Sequence, residues 1–520
     1  MSTPLVPRSV RGLPLRRRHD KAPPFPHLPI AAPPAMLRRA SCTALAGAAL
    51  LLAGCASLSP EGDAPQALSL VQGRSLVGDA QPRRRPDTAS AAQAEALLAR
   101  PLDQQTAVRI ALAQSPRMQA AFAALQLSDA ERAEAATLPN PVFSFSRLRE
   151  GRELELDRLI SFNVVGLLTL PWRARWADQR QEAARLDAAQ AVLQLAADTR
   201  RAWLRAVADR QSALYLRDVR DAAEAGATLA QRMQKAGNWP ALQAAREQLQ
   251  QADAQAQLAR AEQAATASRE ALVRLLGLDG AQAARLTLPD RLPDLPDLPD
   301  LPASLPADAD LQAQALRDRL DLRAARADAA ATAEAQGLTR ATRFVDAMEL
   351  GVARNTTFAN DAERGRSTQR GWEIGLPIPL FDFGQARSAQ AEARYLQAAA
   401  RVRGVALAAA SEVREAEAAR RHAWQIAHRY QAEVLPLQRQ INDEMVLRYN
   451  AMGASVWQLL AEARASARTV DAAMQAQRDF WLAEVDLQMA LTGSSPAGLS
   501  ALRGAGTGSA LASTTNEGGH

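Results

Sequence analysis

Histidines, cysteines and carboxylates are the side chains that could carry chemistry in this chain, which has five histidines and two cysteines. His422 and His428 are six apart in a stretch that reads as helix, whereas metal ligands sharing one helical face need a spacing of three or four. His19 and His27 fall near the start, and His520 is the last residue. No GxxxxGKS/T, GxSxG, HExxH or CxxC motif occurs, so no phosphate loop, nucleophile elbow or zinc site is offered. The acids sit among arginines on helical stretches, the usual pattern of a solvated or ion-paired face. We expect no catalytic residue, no cofactor and no metal, and therefore no enzyme.

One residue does invite chemistry. Cys55 closes MLRRASCTALAGAALLLAGC, which has a positive start (Arg38, Arg39), an apolar run and small residues before the thiol. LAGC resembles the bacterial lipobox, in which the cysteine becomes the acylated (palmitate-bearing) first residue of the mature protein. Residues 1–54 then form a leader and lipoprotein signal peptide. Within it 1–35, rich in Pro and Arg, is a spurious or dispensable extension ahead of Met36. No thiol pair survives cleavage, so no disulfide follows.

Charge must be judged after that cleavage. The whole chain holds 62 Lys+Arg and 56 Asp+Glu, with a sequence pI near 9.9. The leader holds eight of the bases and one acid, leaving 54 and 55, a net charge of −1. No basic patch interleaved with aromatics appears later, which excludes nucleic acid as a partner. No later segment reaches 18 apolar residues, so no transmembrane helix is expected.

The elements that remain are long helices. Only 4% of residues are aromatic, and Ala, Gln, Arg, Leu and Glu dominate. So Ala-rich a chain buries little area per residue, and its long helices need neighbours on more than one side. A tether follows the leader over 55–100. A strap at 291–306, RLPDLPDLPDLPASLP, has Pro at every third position, which forbids helix. The stretches on either side, 101–290 and 307–493, repeat each other, and 494–520 is a flexible tail. Each repeat opens with a helix (TAVRIALAQSPRMQAAFAALQLSDAERAEA; LQAQALRDRLDLRAARADAAATAEA) and continues with an alternating stretch. A long helix then runs to a Gly turn, at Gly237 and Gly453, 216 residues apart, and a return helix follows. On the first long helix Leu193, Leu204 and Tyr215 recur every 11 residues, as do Ala197, Ala208 and Val219. That period keeps a stripe on one face of a nearly straight helix.

The alternating stretches read as strands. Leu154, Leu156, Ile160, Phe162 and Val164 share one parity, and Glu153, Glu155, Asp157, Ser161 and Asn163 hold the other. Phe143 and Phe145 alternate with serines, and Trp372, Ile374, Leu376 and Ile378 with Glu373 and Gly375. One apolar and one polar face suits a half-buried sheet, or a barrel with lipid outside and water inside. The stretches REGRE and NTTFANDAERGRSTQR read as outward loops. Two strands per half give four per chain, and a membrane barrel needs at least eight. Open edges are untenable in lipid, so the membrane reading requires an oligomer.

The lipobox, the duplicated helix–strand pair–long helix–turn–return helix layout, LPIPLFDFG before the second long helix and the Gly turns together resemble the TolC family of outer-membrane factors, in its lipoprotein branch. The likeness covers roughly residues 95–493. It implies a mainly α fold with a membrane β-barrel portion: long antiparallel hairpins forming an α-barrel, and four strands per protomer in a trimeric, 12-stranded barrel. It implies the outer-membrane channel of a tripartite efflux system, a passive homotrimeric duct anchored to outer-membrane lipid and extending into the periplasm. The partners would be a periplasmic adaptor (membrane fusion protein) and an inner-membrane pump. By the same likeness Cys55 is the lipidation site, and Lys235, Gly237, Asn238, Trp239, Gly453 and Ser455 at the tips are adaptor contacts. Glu462 would be an acid at the tunnel mouth. Two departures stand out: KAGNW lacks the commoner Leu after Gly, and RYNAMG has one extra residue between Tyr and Gly. A periplasmic coiled-coil adaptor or scaffold lipoprotein, and the exit channel of a type I protein-secretion system, are the alternatives. The cargo stays open among metal ions such as copper, drugs, solvents and proteins.

Overall fold

The computed structural model describes residues 63–80, 82, 88–151, 153–296, 307–345, 347–358 and 365–495. The proposed leader, Cys55, the second part of the Pro strap and most of the proposed tail lie outside them. The first half contains α1 (Ala64–Ser69), α2 (Thr88–Leu98), α3 (Gln104–Gln114), α4 (Pro116–Ala135), β1 (Val142–Glu150) and β2 (Glu153–Asn163). It continues with α5 (Val164–Leu168), the 66-residue α6 (Leu170–Lys235), the return helix α7 (Ala241–Leu276) and α8 (Gly280–Arg285). The second half contains α9 (Ala307–Asp318), α10 (Leu320–Ala341), β3 (Glu349–Phe358), β4 (Arg366–Gly375) and α11 (Gln385–Arg429). A π-helical turn (Tyr430–Val434), α12 (Leu435–Asn450) and the return helix α13 (Val456–Thr492) complete it. Among the described residues no helix is long and apolar enough to cross a membrane.

The strands form one antiparallel sheet in the order β1-β2-β3-β4, so the two halves are sewn together by the β2–β3 pair. β2 stops one residue sooner than the alternation predicts. Asn163 accepts a hydrogen bond from Gly166 N and caps α5, which takes Val164 out of the strand. At the other end the strands are longer than expected. Asn355–Phe358 and Arg366–Gln369, read as loop, pair with each other across β3 and β4. Their polar side chains hid the ladder.

Apolar burial concentrates midway along α6. Leu186, Val192, Leu193, Ala196, Ala197, Leu204 and Val207 are buried against α3, α4, α10 and the end of α7. The 11-residue stripe therefore faces the core where expected, from Leu193 and Ala197 to Leu204 and Ala208, and becomes half-buried at Tyr215 and Val219. Alanines on that face let the helices approach closely. The tether is part of this core: Val71, Leu76 and Val77 are buried, Arg200 donates to the carbonyls of Ser75 and Leu76, and Asp63 accepts from Gln181 and Arg185. The described start of the Pro strap is lashed down too, with Pro293 O accepting from Trp481 Nε1 (3.1 Å) and Gln477 Nε2 (2.6 Å).

Each opening helix, expected to be continuous, is broken once, and at matching places. Ser115 (φ −60°, ψ 128°) separates α3 from α4, and Arg319 (φ −64°, ψ 125°) separates α9 from α10. Pro116 accounts for the first break, because the residue before proline is driven to extended backbone. Arg319 has no proline after it. Its side chain, 0% exposed, instead forms a two-pronged pair with Asp321 (2.7 Å) and reaches Glu412 (2.7 Å) on α11. Burial disfavours its charge, but hydrogen bonds and attraction from Asp321 and Glu412 outweigh this and raise its pKa above the ordinary value. Ser495 donates to the second Glu412 oxygen (2.6 Å). Replacing Arg319 by Met should therefore leave two carboxylates buried without their cation. The expected cost is about 3–5 kcal/mol, read as a marked fall in the thermal midpoint of the helical circular-dichroism signal. A midpoint within a degree of the parent's would show that this cluster does not hold the break.

Candidate functional site

Cross-strand partners in an antiparallel sheet point to the same side, so the register sorts every strand residue onto one of two faces. One face holds the row Phe143–Ile160–Val352–Trp372 and, next to it toward the helices, Phe162–Leu350–Ile374. All seven are exposed on the single chain, Trp372 by 74%. The apolar surface continues beyond the strands through Leu376, Ile378, Leu380, Phe381 and Leu168, all exposed. Such a patch marks a buried surface in some larger assembly or in lipid. The opposite face carries Glu150, Glu153, Glu155, Asp157, Glu349 and Glu373 among serines, glycines, amides and the apolar Val142, Leu148 and Leu159, and no Lys or Arg. Among the described residues one edge of β1 and one edge of β4 have no partner strand.

The connections from strands to helices are fixed locally. Pro171 opens α6, where its missing N–H is not needed. Before α11, Gly384 adopts φ +71°, and a Cβ there would lie 2.7 Å from the Arg343 carbonyl, so only glycine fits. Arg343 also donates to Phe383 O (3.0 Å), which ties the LPIPLFDFG segment to the end of α10.

The two hairpin tips have the same hydrogen-bond design at an offset of 215 residues. Asn238 N donates to Met233 O (3.0 Å) and Gly453 N to Arg448 O (2.8 Å), the six-to-one bond of a Schellman cap. The left-handed residue is Gly237 (φ +77°) in the first tip but Met452 (φ +57°) in the second. The expectation that Gly453 makes the second turn is therefore corrected by one residue. The extra residue in RYNAMG shifts the glycine out of the left-handed position, and Met452 occupies it with its side chain 95% exposed. Of the other tip residues, Lys235, Asn238 and Gly453 are exposed. Ser455 is exposed and caps α13 in a capping box with Gln458.

Trp239 and Trp457 stack on each other with ring centroids 4.2 Å apart, clipping the first tip to the start of α13. Glu247 and Arg464 pair between α7 and α13, and Gly226 lets Leu460 approach α6. Glu462 is half-buried in the second hairpin, where Gln438 Nε2 donates to its Oε1 (2.6 Å). Met452 and the Glu247–Arg464 pair went unnoticed in the sequence. The first had a signal, the one-residue misfit between tips, and the second had none. Among the described residues no His/Cys/Asp/Glu cluster could hold a metal ion, and His428 stacks on Trp424 (4.7 Å).

No protein-family model matches the chain, and no curated protein does. Solved structures do. The CmeC outer-membrane channel of Campylobacter jejuni is 15% identical, with a TM-score of 0.64 over 77% of this chain and 88% of that one. The outer-membrane protein VceC of Vibrio cholerae is 16% identical, with a TM-score of 0.61 over 76% and 97%. The open-state MtrE outer-membrane channel of Neisseria gonorrhoeae is 19% identical, with a TM-score of 0.56 over 75% and 89%. The fold is that of these channels.

The tips generate a paired prediction. Gly237→Ala should destabilise its tip by about 1 kcal/mol, the cost of a Cβ in left-handed backbone, and Met452→Gly should relieve strain of similar size. Hydrogen exchange of the tip amides checks both: faster in the first variant, slower in the second. The same direction of change in both would contradict the assignment.

Proposed function

We propose that this chain is one protomer of a trimeric outer-membrane channel of the TolC type, a passive duct that conducts substrate out of the periplasm. The observation that carries this reading is the two-faced, four-stranded sheet with two unpaired edges. In lipid an unpaired edge costs several kcal/mol for each N–H or C=O left without a partner, so the sheet must close with other copies. Two copies would give eight strands, a barrel just wide enough for its own side chains to fill. Three give twelve, the smallest closed ring of this sheet that leaves a water-filled lumen. The apolar face then meets lipid, and the acid-bearing face lines the exit and favours cations.

The same reading gives the helices their task. Two long hairpins per protomer make six around the axis, continuing the barrel as a tunnel into the periplasm. The tips, with Lys235, Gly237, Asn238, Trp239, Gly453 and Ser455, would meet a periplasmic adaptor, and through it an inner-membrane pump that does the work. Cys55 would anchor the mature chain to lipid. Glu462 would narrow the tunnel mouth with the oxygen that Gln438 leaves free. Two hairpins and a lipid-shaped sheet in one chain support a duct over an adaptor.

Reconstitution tests this directly. The purified protein should run as a trimer in detergent and give stepwise single-channel conductance in planar bilayers. A monomer without conductance would overturn the duct. Within a conducting trimer, Glu462→Gln should raise conductance and weaken cation selectivity, and unchanged values would remove Glu462 from the mouth.

A further inference from the structure

The apolar face of the sheet changes character along its length. Two residues beyond the Phe143–Ile160–Val352–Trp372 row, on the same face and away from the helices, lies Phe145–Arg158–Arg354–Arg370. Three arginines stand side by side on three neighbouring strands. Strands lie about 4.8 Å apart, so the three begin within about 10 Å of one another. The next rows are Arg147–Leu156–Thr356–Thr368 and Arg149–Leu154–Phe358–Arg366, with Arg366 stacked over Phe358 at 5.6 Å. No acid lies on this face of any strand. All the strand carboxylates are on the other one.

Like charges placed directly opposite each other across strands destabilise a sheet. Among the described residues none of Arg158, Arg354 and Arg370 has an ion pair, although many arginines on the helices do. Further copies of the chain cannot supply the missing charge through their strands. Closing the sheet joins this face to the same face of the next protomer, which brings more arginines. Among the described residues, then, nothing supplies the counter-charge, and a ligand from outside the chain would.

We propose that these rows bind lipids whose headgroups carry phosphate, in the outer leaflet of the membrane that the barrel crosses. The order of chemistry along the face matches such a lipid. Apolar rows lie nearer the helices, where acyl chains would run, and arginines lie farther out, where headgroups would sit. Phe145, Leu156, Leu154 and Phe358 are interleaved with the arginines, so the aliphatic stems have apolar surface to lie on while the guanidinium groups reach the interface. A guanidinium fork matches the geometry of two phosphate oxygens, and pairing there is charge-assisted. The proposal rests on the barrel reading above, which decides that this face meets lipid.

The test uses the full-length trimer in mild detergent, with diphosphoryl lipid A, the same lipid dephosphorylated, and inorganic phosphate as probes. Native mass spectrometry should show the phosphorylated lipid retained, and its addition should raise the thermal midpoint. The dephosphorylated lipid and inorganic phosphate should do neither. The triple change Arg158→Gln, Arg354→Gln, Arg370→Gln should lower retention of the phosphorylated lipid at least tenfold, with conductance unchanged. Should the triple variant not assemble, Arg354→Gln alone, the middle member of the row, should lower retention severalfold. Equal retention by parent and variant, equal binding of both lipids, or full stabilisation by inorganic phosphate would each overturn the proposal. A changed ion selectivity in the variant would overturn it as well, by placing the arginines in the lumen. A parent that forms no conducting trimer fails the duct reading instead, and a conducting trimer that retains no phosphorylated lipid fails this one alone.

Discussion

Backbone hydrogen bonds on the outer edges of β1 and β4 set the terms for everything else in this molecule. Each edge is a row of donors and acceptors with no partner among the described residues. Beside them an apolar face stands open on the single protomer. Water would satisfy the edges but not the face, and lipid would satisfy the face but not the edges. The ring closure among copies proposed above would satisfy both. The duplication in sequence makes this possible, because each half contributes one antiparallel strand pair and β2–β3 joins them into a continuous segment of wall. In such a ring the helices would inherit their arrangement. Chains leaving adjacent strands at the same end of a ring must run side by side, and long helices with Ala-rich faces can do so at close range.

The halves reach the same backbone by different chemistry. At Ser115 the bend comes from the following proline, and Gly277 at the end of α7 packs against it. A Cβ on Gly277 would sit 3.1 Å from Gln114 O and 3.2 Å from Ser115 Cα. At Arg319 the bend comes from a buried ion cluster, and the end of α13 closes on it as Asp321 N donates to Gly493 O (3.3 Å). In both halves, then, the return helix ends on the break in the opening helix. That contact seats each hairpin on the body, so the geometry far out at the tips is referred back to these two points. Replacing proline with an ion cluster trades a local constraint for one that also fastens α9, α10 and α11 together.

Legibility followed the range of the interactions involved. Strand parity, the 11-residue stripe and the Pro and Gly boundaries are local, and the two repeats, the sheet faces and the long helices could all be read from them. The break at Arg319 could not, because its partner Glu412 lies 93 residues away and nothing adjacent marks it. The ends of β3 and β4 were hidden for a related reason: Asn355–Phe358 and Arg366–Gln369 look like loop until each is seen to face the other. At the tips, the position of a glycine was read as the position of the turn. The hydrogen bonds place the turn one residue earlier, on Met452, which only the extra residue between Tyr and Gly hints at. For Glu462 a role came only from likeness to a family, and its bond to Gln438 depends on how α12 and α13 sit against each other.

The two hairpins, alike in outline, are unlike in what holds them closed. The seam of the first is small and apolar, with Gly226, Ala227 and Ala230 of α6 and Ala244, Ala254 and Leu258 of α7 all buried. The second has no buried residue on α12. Its seam is a polar ladder, with Gln438 to Glu462 and Asn442 to Ser466. Its outgoing helix is also interrupted. Pro436 cannot donate to the preceding turn, and the π-helical turn at Tyr430–Val434 takes up the irregularity. Local opening is easiest where little apolar area is buried and where polar bonds can be exchanged for bonds to water. Both conditions meet in the outer third of the second hairpin and not in the first. Of the two hairpins, the second is therefore the one whose outgoing helix, beyond the π turn, opens at least cost.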